Sequence, residues 1–221
     1  MTLIRRLLPS SIAAGLVACA LLPSAASARL VAVNPSSQVL VVGDSLAVGL
    51  RPYLAQQLGT DVAWDAKSGR TTPQGLVALR AALKVVEPTT VVVSLGTNDG
   101  SDPARFQSRI DRVLTAIGPK RCVVWANIYR PARKGPYAAL NTVLSAEAAR
   151  VSRLHLVDWL SAVKGRDVTL PDGLHPNTTG FEYRSRLIAD AVRADCGAGT
   201  IGAQTQDVGG DATTGGVASP A

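Results

Sequence analysis

Gln38-Val39-Leu40-Val41-Val42-Gly43-Asp44-Ser45-Leu46 is an apolar run that halts at a glycine and hands the chain to a serine. A β-branched and leucine run bounded by Gly reads as a buried strand. Asp44 and Ser45 then sit at its carboxyl end, where open parallel α/β sheets place their sites. Ser45 is a candidate nucleophile, but Ser after Gly-Asp is also ordinary turn chemistry. The choice depends on whether other strand ends supply a base, an orienting acid and oxyanion donors.

Downstream of this strand, strand-like and helix-like segments alternate, the pattern of βαβ units in a parallel sheet. Strand one is Gln38 to Val42, and helix one starts near Gly49 with Pro52 in its first turn, Leu50, Leu54 and Leu58 inward and Gly59 closing it. Strand two is Val62 to Ala66; helix two carries Leu76, Leu79, Leu83 and Val86 at helical spacing and ends at Glu87-Pro88. Strand three is Thr90 to Leu95, and Asp102-Pro103 caps a helix with Phe106, Ile110, Val113 and Ile117 inward. Strand four (Arg121 to Ala126), helix four (Pro136 to Val151), strand five (Leu154 to Val157) and a last helix (Asn177 to Ala194, with Phe181, Ile188 and Val192 as core positions) complete the set. Leu30 to Ser37 reads as a short lead-in before the first strand and Asp158 to Leu170 as a long loop.

With 221 residues, 47% of them apolar and 18% charged, the chain suits one buried domain with flanking segments. The net charge of +7 is not gathered into a basic run interleaved with aromatics, so nucleic acid is not expected as a partner. Residues 1–28 read as a secretory signal: Arg5-Arg6, an apolar run from Leu7 to Leu22, and Ala26-Ser27-Ala28 as a small-x-small cleavage site. Pro9, Ser10, Ser11 and Pro23 interrupt the run and argue against a permanent membrane helix. An alternative is a lipobox at Leu16-Val17-Ala18-Cys19, which would anchor the domain to a membrane through Cys19. Plain secretion is preferred because Ala20-Leu21-Leu22 prolongs the apolar run. The folded domain is expected over 29–196, and residues 197–221, rich in Gly, Ala, Thr and Ser, read as a disordered tail.

Cys122 opens a predicted strand and Cys196 ends the last helix. In a parallel α/β sheet both lie at the face opposite the site, so one disulfide is preferred over two buried thiols.

Four blocks follow strand ends or precede the last helix: Gly43-Asp44-Ser45-Leu46, Lys67-Ser68-Gly69-Arg70, Gly96-Thr97-Asn98-Asp99 and Asp172-Gly173-Leu174-His175-Pro176. In that order, over Val39 to about Ala194, they resemble the SGNH, or GDSL, hydrolase family. The resemblance implies a three-layer α/β/α, flavodoxin-like fold with a five-stranded parallel sheet of order 2-1-3-4-5. It also implies a Ser45 nucleophile, His175 as general base and Asp172 as its orienting acid. The Ser45 and Gly69 backbone N–H groups and the Asn98 side chain would form the oxyanion hole.

The residues support this independently. A serine hydroxyl needs an adjacent base, and the chain has only two histidines. His155 opens a strand and reads as structural; His175 lies in a Gly- and Pro-bounded turn with Asp172 three residues earlier. The sheet order sets the ends of strands two, one and three side by side. Strand five lies three strands from strand one, roughly 14 Å away, so Asp172 and His175 need the loop after Asp158 to return.

Asp44 and Asp99 lack neighbouring ligand histidines and are expected to hydrogen-bond loop backbone rather than hold a metal. No dinucleotide or phosphate loop is present and no cofactor is implied. Asn127 to Pro136, with Tyr129, Arg130, Arg133 and Lys134, either borders the cleft and contacts an anionic or glycan substrate or forms a solvated basic loop. The expected activity is that of a secreted, monomeric serine esterase on small-molecule or glycan esters. Alternatives are a peptidoglycan or glycan O-acetyltransferase with the same triad, suggested by Val157-Asp158-Trp159 and Asp65-Ala66-Lys67, and a non-catalytic cell-envelope binding module.

Overall fold

Strand residues alternate between the two faces of a sheet, so a run that is apolar at every position must be covered on both sides. In Val39–Gly43 every residue is buried, and so it is in Thr90–Ser94. Leu40, Val42, Val91 and Val93 pack into one apolar cluster, Val39, Val41 and Val92 into another on the opposite face. This partition builds the three layers. The computed structural model describes residues 29–32 and 34–197. The proposed leader with Cys19, and the tail beyond Gly197, lie outside the described residues.

The elements in chain order are β1 (Arg29–Ala32), β2 (Val39–Gly43), α1 (Ser45–Val48), α2 (Arg51–Leu58), β3 (Val62–Lys67), α3 (Thr72–Ala82), β4 (Thr90–Ser94), α4 (Pro103–Ile117), β5 (Cys122–Ala126), α5 (Ala138–Arg150), β6 (Leu154–Val157), α6 (Trp159–Lys164) and α7 (Thr178–Cys196). A 3-10 turn, Ala132–Lys134, precedes α5. The sheet runs β1-β3-β2-β4-β5-β6. From β3 to β6 all pairings are parallel, which is the expected five-stranded order 2-1-3-4-5.

Core residues of α3, α4 and α5, among them Leu79, Phe106, Ile110, Ile117, Leu140 and Leu144, pack in one cluster. Those of α2, α6 and α7, among them Leu54, Leu58, Trp159, Ile188 and Val192, pack in the other. Local signals set several boundaries as the sequence predicts. Asp102 caps α4 by accepting from the Arg105 N–H at 3.1 Å, with Pro103 in the first turn. Gly59 closes α2 with φ of 66°. Cys122 and Cys196 are joined in a disulfide with Cα atoms 5.6 Å apart, tying the start of β5 to the end of α7.

Three expectations are corrected. The lead-in contains β1, which adds an antiparallel edge to β3 in the register Arg29↔Lys67 to Ala32↔Trp64. Backbone pairing to an unfilled sheet edge defines this strand, and a four-residue segment has too little pattern to announce it. The loop after Asp158 contains α6, capped by the Asp158 carboxylate on the Ser161 N–H at 3.1 Å. Helix two ends at Ala82, and Leu83 to Val86 continue as a turn whose Val86 still reaches the core.

Candidate active site

The β2 strand ends against β4 so closely that a Cβ at position 43 would lie 2.4 Å from Ala47 Cβ and 2.8 Å from the Ser94 carbonyl oxygen. Only glycine passes there. Asp44 then caps α1, its Oδ1 accepting from the Leu46 N–H at 2.9 Å. Ser45 is therefore the first residue of a short helix rather than of a simple turn, and its side chain is left half-buried at the carboxyl edge of the sheet.

His175 reaches it from the segment between α6 and α7. Its Nε2 lies 2.8 Å from Ser45 Oγ and its Nδ1 2.6 Å from Asp172 Oδ2. The other Asp172 oxygen, Oδ1, accepts from the backbone N–H groups of Leu174 at 2.9 Å and His175 at 2.7 Å. Leu174 and Pro176 on either side of the imidazole are buried, so the turn presents His175 between two apolar anchors. The His175 imidazole, then its backbone N–H and that of Leu174, hold the Asp172 carboxyl well below the usual carboxylate range. With Asp172 ionised, Nδ1 carries the proton and Nε2 is free to accept from the Ser45 hydroxyl. The Asp172 side chain is 51% exposed and that of His175 38%, so the trio opens onto the surface.

Gly69 sits in the turn after β3 with φ of 74°, a left-handed conformation that suits glycine. Arg70 fixes this turn. It is buried and gives Nη2 to Asp65 Oδ1 at 2.6 Å, and Nη1 to the Asp65 carbonyl and to the Gly43 carbonyl at 3.3 Å. Among the described residues the Ser45 and Gly69 N–H groups have no hydrogen-bond partner. Asn98, after β4, donates from Nδ2 to Asp44 Oδ2 and to the Arg70 carbonyl, both at 3.2 Å, and its Oδ1 accepts from Lys134 Nζ at 2.9 Å. Those three contacts agree in only one orientation of the amide, with the nitrogen toward Asp44.

Asp44 and Asp99 bond backbone, but at the first turns of helices rather than in loops: Asp44 accepts from Leu46 in α1, and Asp99 Oδ1 accepts from the Thr72 N–H at the start of α3 at 3.0 Å and lies 3.1 Å from Arg109 Nη1. Burial raises the Asp44 pKa to about 6, against the pull of the Leu46 N–H and of Arg184, His175 and Lys134. Arg184, also buried, stacks over Trp159 at 4.5 Å and donates to Ser94 Oγ at 3.2 Å. Sequence reasoning missed it, although it falls on the inward stripe of α7 between Phe181 and Ile188, where a charged residue is out of pattern.

The 127–136 loop is corrected in part. Arg130 is buried and unavailable to a ligand; it donates to the carbonyls of Thr97, Asp99, Gly135 and Pro136 and to Ser101 Oγ, stapling the loop to the segment after β4. Tyr129 packs edge-on against Tyr137 at 5.8 Å. Arg133 and Lys134 do border the trio, Arg133 Nη2 donating to the Asp172 carbonyl at 3.1 Å. His155 stands apart on β6, with Nδ1 3.7 Å from Asp195 Oδ2.

Residues 41–183 match the model of the GDSL-like lipase/acylhydrolase family. Esterase TesA of Pseudomonas aeruginosa is 32% identical over 160 residues, which cover 62% of this chain and 79% of that protein. Among solved structures, a lipase/acylhydrolase from Enterococcus faecalis superposes with a TM-score of 0.63 at 22% identity, covering 70% of this chain and 94% of the other. The C-terminal catalytic domain of the Streptococcus pneumoniae peptidoglycan O-acetyltransferase A gives 0.56 at 20% identity, covering 73% and 93%. At such identities these two likenesses concern the fold.

Proposed function

This chain belongs to the GDSL-like lipase/acylhydrolase family and is an enzyme of esterase type, and from that premise we propose that it hydrolyses carboxylic esters through Ser45, His175 and Asp172. The observation that carries this reading is the unbroken series from Ser45 Oγ through both ring nitrogens of His175 to Asp172, at 2.8 and 2.6 Å. The Ser45 hydroxyl adds to the ester carbonyl carbon while its proton passes to His175 Nε2, and the carbonyl π pair becomes the oxyanion. Collapse expels the alcohol oxygen, which takes the proton from Nε2. Water then repeats the sequence on the acyl-enzyme and releases the acid.

The oxyanion is held by the two unpartnered N–H groups of Ser45 and Gly69 and by Asn98 Nδ2, whose N–H toward the neutral Arg70 carbonyl is shared with the charged oxygen. Each such donor contributes about 3 kcal/mol to the transition state. The exposure of His175 and Asp172 favours esters whose alcohol or acyl part extends away from the surface, glycan esters included.

The segments that suggested acyl transfer to a sugar are engaged structurally: Asp65 binds Arg70, Asp158 caps α6 and accepts from Asn127, and Trp159 is buried beneath Arg184. Hydrolysis is therefore the leading reading. Residues 1–28 act as a secretory leader in this account, and the disulfide suits the oxidising compartment it leads to. The test is turnover of a short-chain p-nitrophenyl ester, with and without a chitooligosaccharide acceptor. We expect hydrolysis that Ser45→Ala lowers by about 10³-fold or more. Acetylated sugar in excess of free acid would favour the transferase, and wild-type turnover by Ser45→Ala would remove Ser45 from the mechanism.

A further inference from the structure

The 3-10 turn Ala132–Lys134 is held rigidly for a surface segment, because Arg130 beneath it spends its donors on Gly135 and Pro136 on one side and on Thr97, Asp99 and Ser101 on the other. The same staple therefore fixes two things together: the loop that carries Lys134 and the segment that carries Asn98. Their side chains meet, Lys134 Nζ donating to Asn98 Oδ1 at 2.9 Å.

An ammonium on the oxygen of a carboxamide has two effects on the far nitrogen. It draws electron density through the conjugated amide, so that the N–H bonds become stronger donors. It also forbids the flipped amide, which would set an NH2 against the ammonium and an oxygen against Asp44 Oδ2 and the Arg70 carbonyl.

We propose that Lys134 is a positioning residue for ester hydrolysis, acting through Asn98: it locks and polarises the amide whose Nδ2 receives the oxyanion. This rests on the role given to Asn98 above. The effect is confined to the transition state, because the gain from a stronger donor grows with the negative charge on the acceptor; a neutral ester carbonyl in the ground state draws little from it. Lys134 is exposed and its removal leaves the buried Arg130 staple intact, so the fold does not depend on it.

The competing role for a lysine beside an active site is recognition of a negatively charged substrate, and the two are separable. For Lys134→Met we expect kcat on a neutral short-chain ester to fall roughly three- to tenfold with KM unchanged. Lys134→Arg should restore most of it. In an Asn98→Ala background, Lys134→Met should have no further effect. A second readout does not depend on turnover: the Asn98 side-chain NH2 protons, assigned by their loss in Asn98→Ala, should move upfield in Lys134→Met.

The proposal is overturned by unchanged kcat in Lys134→Met, by an equal loss in the Asn98→Ala background, or by a loss seen as raised KM on an anionic ester alone. Unmoved Asn98 amide resonances overturn it as well. If wild-type protein turns over no ester, the resonances still decide the Lys134–Asn98 link, while the failure falls on the proposed activity.

Discussion

Two histidine–aspartate pairs lie in different regions of the sheet, and only one of them meets a serine hydroxyl. At the carboxyl end, Asp172 is clamped by two backbone N–H groups and lies 2.6 Å from His175 Nδ1, while Nε2 meets a hydroxyl at 2.8 Å. On β6, His155 has its Nδ1 3.7 Å from Asp195, beyond hydrogen-bond distance, in the last turn of α7 beside the disulfide. The residue types are the same. The difference lies in what holds the carboxylate: a tight turn flanked by buried Leu174 and Pro176 in one case, an exposed helix end in the other.

Breaking the clamped pair should have the largest effect. Asp172→Asn keeps the shape but leaves Nε2 with the wrong proton, and we expect kcat/KM for a short-chain p-nitrophenyl ester to fall by about 10³- to 10⁴-fold. Because the Asp172 side chain is half exposed, its thermal midpoint should stay close to that of the wild type.

The disulfide region should respond in the opposite sense. Replacing both Cys122 and Cys196 by Ser releases a cross-link over 74 residues of chain and should lower unfolding stability by about 2–4 kcal/mol in a urea titration. Turnover per folded molecule should be unchanged, since the bridge lies at the other end of β5 and α7 from the trio.

Asp44, close enough to His175 to feel its charge, responds to pH in the opposite sense to Asp172. Its folded pKa of about 6 stands above the unfolded value near 3.9, so the folded chain holds this proton more tightly. Stability drawn from this group falls as pH rises from about 4 to about 6. Asp44→Asn, which keeps a capping oxygen for Leu46, should therefore gain on the wild type by about 2–3 kcal/mol between pH 4 and 7. Asp172 acts the other way: its depressed pKa contributes stability above the unfolded value, lost as pH falls through the folded one, and solvent screening of its half-exposed side chain keeps that contribution small.

His155→Ala should have the smallest effect, with kcat/KM unchanged and stability within about 1 kcal/mol of the wild type. A large loss of activity would mean that the second pair takes part in the chemistry.

The five parallel strands were legible because full burial on both faces writes itself as unbroken apolar runs, as at Val39–Gly43 and Thr90–Ser94. The candidate site was legible because its groups sit at strand ends in short Gly- and Asp-bearing blocks. β1 was not, since edge pairing is a property of β3 rather than of the four residues that pair with it. The buried arginines were also hidden. Arg70 and Arg130 owe their burial to carbonyls from distant segments, Gly43 for one and Thr97 and Asp99 for the other, and no local pattern reports those meetings. Lys134 belongs to the same group: its partner Asn98 lies 36 residues away.

Ser45, as proposed above, is a nucleophile activated by the clamped pair. Intact-mass analysis after exposure to a fluorophosphonate, followed by peptide mapping, tests it directly. We expect a single phosphonyl adduct, on Ser45, absent from Ser45→Ala and formed far more slowly in Asp172→Asn. A folded wild-type protein that acquires no adduct, or an adduct that persists in Ser45→Ala, would contradict it.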